Sequence, residues 1–129
     1  MGGGKVLRVL IVEDNAMFRE AFKRDLCEHF PSVVIEEATN GDEALQKVRA
    51  VLPYLIFMDI RLPGINGLRL TRKMKEDSPG ITIAVLTSYD LPEYREAAVE
   101  SGADRFFVKS SYKWDEVKAF VKSISPGVP

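Results

Sequence analysis

Five short aliphatic runs alternate with amphipathic segments along the 129 residues, and this alternation limits the possible folds more than any other feature. The runs are Leu7–Val12, Val33–Glu37, Leu55–Asp59, Ile81–Leu86 and Arg105–Val108. A strand-helix pattern repeated five times predicts an α/β fold with a parallel sheet covered by helices on both faces. The middle runs are almost uninterrupted in apolar residues, as strands buried on both sides should be. One domain of roughly 100–200 residues accommodates the whole chain.

The intervening segments carry helix signals. Phe18, Phe22, Leu26 and Phe30 recur every fourth residue after Asn15, with Lys23, Arg24 and Glu28 pointing elsewhere and Pro31 as a stop. Asn40 with Glu43 three residues on predicts a capped second helix ending before Pro53. Asn66-Gly67 opens a third helix through Leu68, Leu70 and Met74, closed by Ser78-Pro79-Gly80. Asp90-Leu91-Pro92-Glu93 repeats the cap signal for a fourth, with Gly102 as a left-handed stop. Its apolar face (Tyr94, Ala97, Ala98, Val99) is thin, so this helix should be the loosest attached. Trp114, Val117, Phe120, Val121 and Ile124 define the last helix. Residues 1–5 read as a flexible leader, 6–124 as the domain and 125–129 as a terminator or the start of a linker.

Composition removes several function classes. The 18 basic and 19 acidic side chains nearly cancel, so bulk charge argues for neither nucleic-acid nor anionic-membrane binding by this domain. No apolar stretch approaches the ~20 residues of a membrane span. The single cysteine, Cys27, cannot close an internal disulfide, which suits a reducing, cytoplasmic compartment, and it reads as a small apolar filler. His29 has no His or Cys at ligand spacing and reads as a solvated residue or a partner of the helix dipole.

The chemistry-bearing residues fall at strand ends. Glu13-Asp14 follow the first run and Asp59 ends the third. In an open parallel sheet of order 2-1-3-4-5, strands one and three flank the crevice beyond the carboxyl ends where ligands bind. Three carboxylates converging there cannot all stay ionised without a cation. Mg²⁺ suits the site because it takes one or two carboxylates and keeps waters or phosphate oxygens elsewhere. Thr87 follows the fourth run and Lys109 the fifth, supplying a hydroxyl and an ammonium for a transferred phosphoryl group. The set resembles an aspartyl-phosphate site.

Glu13-Asp14, Asp59 in "MDIRLPGINGL", Thr87 in "VLTS" and Lys109 in "RFFVKS", in this order on these strands, resemble the receiver domain of two-component response regulators. The resemblance covers roughly residues 6–124 and implies a flavodoxin-like (βα)5 fold. It implies that Asp59 accepts a phosphoryl group from a sensor histidine kinase or phosphotransfer protein. It further implies that Glu13 (through water), Asp14, Asp59 and the backbone carbonyl of Arg61 organise Mg²⁺. Lys109 is expected to pair with Asp59 and then with a phosphoryl oxygen, which Thr87 also contacts. Phe106 matches the aromatic that turns inward when the threonine moves, changing the surface of the fourth helix, fifth strand and fifth helix for a downstream effector or a homodimer partner. Arg61 and Tyr89, two residues beyond Asp59 and Thr87, are expected to overhang the phosphoryl group and slow its hydrolysis. The result is a phosphorylation-dependent relay, with only self-directed phosphoryl transfer and dephosphorylation, and not a turnover enzyme.

Two departures from the family pattern stand out. Ser110 follows Lys109 where a proline is common, so a trans bond is expected, and Phe106 stands where tyrosine is frequent. The Lys-Ser version looks like the branch that carries helix-turn-helix output domains. Three rivals fit less well. A haloacid-dehalogenase-type phosphatase needs a second aspartate where Arg61 stands, and a flavodoxin-like electron carrier needs a Ser/Thr/Gly-rich first loop where "EDNAMFRE" has acids. A receiver-like docking module acting without phosphorylation would not require Asp14, Asp59, Thr87 and Lys109 together.

Overall fold

The structure, a computed structural model, describes residues 6–51 and 55–125. The leader, Pro53 and the last four residues of the tail lie outside the described residues. Strands and helices alternate: β1 (Arg8–Val12), α1 (Ala16–His29), β2 (Val34–Ala38), α2 (Gly41–Val51), β3 (Leu55–Met58), α3 (Gly67–Asp77), β4 (Thr82–Thr87), α4 (Pro92–Glu100), β5 (Arg105–Val108) and α5 (Trp114–Ile124). The strands form one parallel sheet in the order β2-β1-β3-β4-β5. This is the expected α/β order. β2 and β4 sit one residue later than the runs suggested, and β3 stops at Met58, leaving Asp59 at the head of a loop.

Alternation along the strands sorts the core into layers. Val9, Ile11, Leu55, Phe57, Leu86 and Phe107 face α1 and α5, where they meet Phe22, Leu26, Val117 and Val121. Leu10, Val12, Ile56, Met58 and Ile83 face α2 and α3 and meet Ala44, Leu70 and Met74. Each fully buried Leu, Ile or Phe among them contributes roughly 1.5–3 kcal/mol. The aromatic stripe of α1 is the anchor of the first layer. Phe22 meets Phe57 edge-on at 4.9 Å between ring centroids and stacks on Trp114 at 5.2 Å.

Local signals explain the helix limits. The Asn15 side chain accepts from the Phe18 N–H, and Asn66 accepts from Leu68, so both act as N-caps. Asn40 accepts from the Glu43 N–H at the start of α2. Gly102 has φ +97°, the left-handed conformation expected of a residue closing α4. No cis peptide bond occurs among the described residues, so Lys109-Ser110 is trans as expected. Of α4 only Ala98 is buried, and Val99 is 73% exposed, in keeping with a loosely held helix.

Three expectations are corrected. Asp90 does not cap α4: the cap position belongs to Leu91, while the Asp90 carboxylate takes the Arg95 guanidinium at 2.9 Å. An ionised partner on the next turn outcompetes the backbone N–H. Cys27 is exposed and not a core filler, because Leu26 already occupies the inward position of that turn. Of the two readings of His29 the solvated one fails, since the ring is half-buried and stacks on the Trp114 indole at 4.7 Å, while its place in the last turn of α1 agrees with a partner of the helix dipole.

Candidate functional site

The parallel register pairs Val12 with Met58, so the residues that follow leave the sheet side by side. Asp59 continues the ladder for one more bond, its N–H donating to the Val12 carbonyl at 3.0 Å. This brings one carboxylate oxygen each from Glu13, Asp14 and Asp59 within 4.8 Å of one another. Glu13 and Asp59 are buried and Asp14 is exposed, so the cluster opens to solvent on one side.

Lys109 reaches this cluster from the end of β5. Its Nζ lies 2.6 Å from Glu13 Oε1 and 3.5 Å from Asp59 Oδ2. The expected pairing with Asp59 is therefore the longer of two, and Glu13 is the principal partner. Each carboxylate has one oxygen held by a main-chain N–H, Glu13 Oε2 by Asn15 at 3.1 Å and Asp59 Oδ1 by Ile60 at 2.8 Å, and the lysine meets the other oxygen of each. The ammonium also lies 4.5 Å from the centroid of the Phe18 ring, a cation–π contact that keeps it over the site.

Burial pushes the Asp59 carboxyl up to about 7, reinforced by the charge of Glu13 and opposed by Lys109. The aspartate is therefore poised between a protonated and a nucleophilic form near neutrality. Thr87 is fully buried at the end of β4. Its carbonyl accepts from the Lys109 N–H at 2.8 Å, and its hydroxyl lies 3.4 Å from the Tyr89 N–H. Thr87 and Lys109 are thus locked to one another through the main chain.

The remaining candidates lie at the rim. The exposed Arg61 guanidinium sits 4.5 Å from the centroid of the Tyr89 ring, and Tyr89 leans on Tyr94 of α4 at 5.5 Å. Phe106 is half-buried beside Ile60, Val85 and Ala98, with the Arg95 guanidinium 4.7 Å above its ring. An open groove of about 510 Å³ adjoins it between α4, β5 and α5.

Two residues not singled out in the sequence also attach to this site. Arg19 donates to the Glu13 carbonyl at 2.8 Å and to Glu37 Oε1 at 3.0 Å. Burial raises the Glu37 carboxyl, but hydrogen bonds from Lys23 and Arg19 outweigh it and hold the group below its ordinary range. The only sequence signal was a pair of glutamates, Glu36-Glu37, inside an otherwise apolar strand.

The family model of the response regulator receiver domain matches residues 9–122, and the chain belongs to that family. It is 31% identical over 106 residues to the response regulator GacA of Pseudomonas protegens, a match covering 82% of this chain and 50% of that protein. It is 33% identical over 103 residues to the transcriptional activator protein ExaE of Pseudomonas putida, covering 80% of this chain and 48% of the relative. The chain thus spans about half the length of these curated relatives. Among solved structures, a two-component response regulator of the LuxR family from Aurantimonas sp. superposes with a TM-score of 0.82 at 28% identity, covering 96% of this chain and 89% of that one. Among the described residues no helix is long and apolar enough to cross a membrane.

Proposed function

We propose that residues 6–124 form a phosphorylation-driven switch in which Asp59 is the phosphoacceptor. The observation that carries this reading is the meeting of four strand ends: a buried aspartate with one lightly engaged oxygen, a carboxylate pair beside it, a lysine bridging them and a buried threonine. The donor set consists of hard oxygens and suits Mg²⁺, which Glu13, Asp14, Asp59 and the Arg61 carbonyl would hold. When bound, the ion supplies charge neutralisation for the incoming phosphoryl oxygens. Asp59 Oδ2 attacks phosphorus as the bond to the donor's nitrogen or oxygen breaks, and the donor leaves with that electron pair. Lys109 follows the new negative charge from Glu13 toward the phosphoryl group, and Thr87 donates its hydroxyl to a second oxygen.

The donor class is a phosphohistidine on a sensor histidine kinase or phosphotransfer protein. Movement of Thr87 frees space for Phe106 to leave Arg95 and turn inward, altering the face of α4, β5 and α5. The relatives' names support transcriptional output through an attached or separate effector, with phosphorylation-dependent homodimerisation as one route. DNA contact would belong to that effector. No turnover of an external substrate is involved.

The test is intact-mass measurement after incubation with acetyl phosphate and Mg²⁺. One phosphoryl group is expected on the unsubstituted protein and none on Asp59→Asn or after chelation of the metal. Uptake by Asp59→Asn would remove Asp59 from its role.

The stacking of Arg61 on Tyr89 supports the reading that the two would close together over the mouth of the site. Opening it in Arg61→Ala or Tyr89→Ala should admit water in line with the phosphorus and shorten the acyl phosphate lifetime severalfold. Loss of phosphoryl label at an unchanged rate in both variants would show the pair to be a solvated rim.

A further inference from the structure

Three carboxylates crowded at one end of a sheet repel one another, and Lys109 offsets only part of that charge. Two of the three follow β1 directly, and Asp14 faces solvent. Both polar groups of the Glu13 main chain are nevertheless tied down. Its N–H donates to the Ala38 carbonyl at 2.9 Å, and its carbonyl accepts from Arg19 Nη1 at 2.8 Å. Arg19 is itself oriented by Glu37, whose second oxygen holds Lys23 at 3.0 Å. The Arg19 side chain is only 15% exposed, so this clamp is shielded from solvent in a way surface ion pairs are not.

We propose that Arg19, braced by Glu37, is a positioning residue for the cation site: it fixes the Glu13–Asp14 main chain so that the carboxylates are assembled before the cation arrives. This rests on reading the acidic cluster as a Mg²⁺ site. Arg19 touches no reacting atom and acts through the Glu13 carbonyl. Only a guanidinium, with donors fixed in a planar fork, serves the carbonyl and the carboxylate at once; a lysine ammonium on one flexible stem would satisfy one of them. Arg19 would thus act on the main chain that carries the ligands, as the outer partners that orient ligand groups do in metal sites generally.

The experiment is titration of Mg²⁺ alone into the unphosphorylated protein, followed by calorimetry and by the amide resonances of Glu13, Asp14 and Asp59. Arg19→Met is expected to raise the Kd for Mg²⁺ about tenfold. Phosphoryl uptake should slow at low Mg²⁺ and recover at saturating Mg²⁺. Lys23→Met removes the other cation on Glu37 but leaves the Glu13 carbonyl bonded, and should stay within about twofold. Glu37→Gln keeps the packing of Arg19 while removing its counter-charge, and should raise the Kd roughly threefold even where Arg19→Met fails to fold. An unchanged Kd in Arg19→Met or Glu37→Gln, or an equal rise in Lys23→Met, overturns the role of Arg19. Failure of the unsubstituted protein to bind Mg²⁺ overturns the metal site itself and this inference with it.

Discussion

Gly67→Ala is expected to destabilise the protein by more than about 3 kcal/mol and lower its melting temperature by roughly 10 °C, with phosphoryl uptake falling in parallel. Gly67 is the first residue of α3, packed directly on the loop that leaves β3. An added Cβ would overlap the Asp59 carbonyl oxygen and lie 3.0 Å from the Ile60 Cα. Both obstacles are main chain, so no side chain can rotate away. The N–H of Gly67 also donates to the Ile60 carbonyl at 2.8 Å, so α3 cannot withdraw without breaking that bond. The strain therefore falls on the peptide that positions Asp59. Gly64→Ala is the matched comparison: φ is +84° there, but nothing lies within 4 Å of the new methyl. That variant should lose only about 1–2 kcal/mol and keep its phosphoryl uptake. Equal melting temperatures for the two variants, measured by calorimetry, would refute the close approach at Gly67.

Asp59→Asn should make the protein more stable in divalent-free buffer at pH 8, and much less so at pH 4. The Asp59 carboxyl is raised from 3.8 to about 7 by burial and by Glu13. Between those values the native state retains a proton that the unfolded chain releases. Stability therefore falls as pH rises through this window and levels off above about 7. The penalty is on the order of 2–4 kcal/mol, and a neutral amide of the same shape removes most of it, raising the melting temperature by roughly 5–10 °C at pH 8. Saturating Mg²⁺ should narrow the gap, because the unsubstituted carboxylate then has a counter-charge. A difference in melting temperature that does not change from pH 4 to pH 8 would sink this account.

The alternation of strands and helices and the polar groups of the site were readable because they follow from periodicity and from where apolar runs stop, whereas the strand order came with the resemblance to receiver domains. Asp14, Asp59, Thr87 and Lys109 announce themselves as polar groups at the ends of runs such as Ile83–Leu86, and parallel topology gathers such ends at one edge. Partner choice was not readable. That Lys109 lies 2.6 Å from Glu13 and 3.5 Å from Asp59 depends on how Asn15 and Ile60 turn the two carboxylates, a difference of less than an ångström. Arg19 and Glu37 escaped notice because charges on a helix and on an edge strand ordinarily face water, and only the crossing of α1 over β2 turns them toward each other. The misread Asp90 shows the same limit: its local cap signal lost to Arg95, a competitor on the next turn.

The sheet register gives β5 a geometric role. Phe106 lies opposite Val85 and Val108 opposite Thr87, so the threonine and the aromatic share one face two positions apart, with Lys109 just beyond. One extra residue between Phe106 and Lys109 would leave the lysine anchored to Glu13 and rotate the aromatic into the layer under α1 and α5. The spacing along this strand is thus like the length of a pushrod: its two ends do useful mechanical work only while they stay in phase.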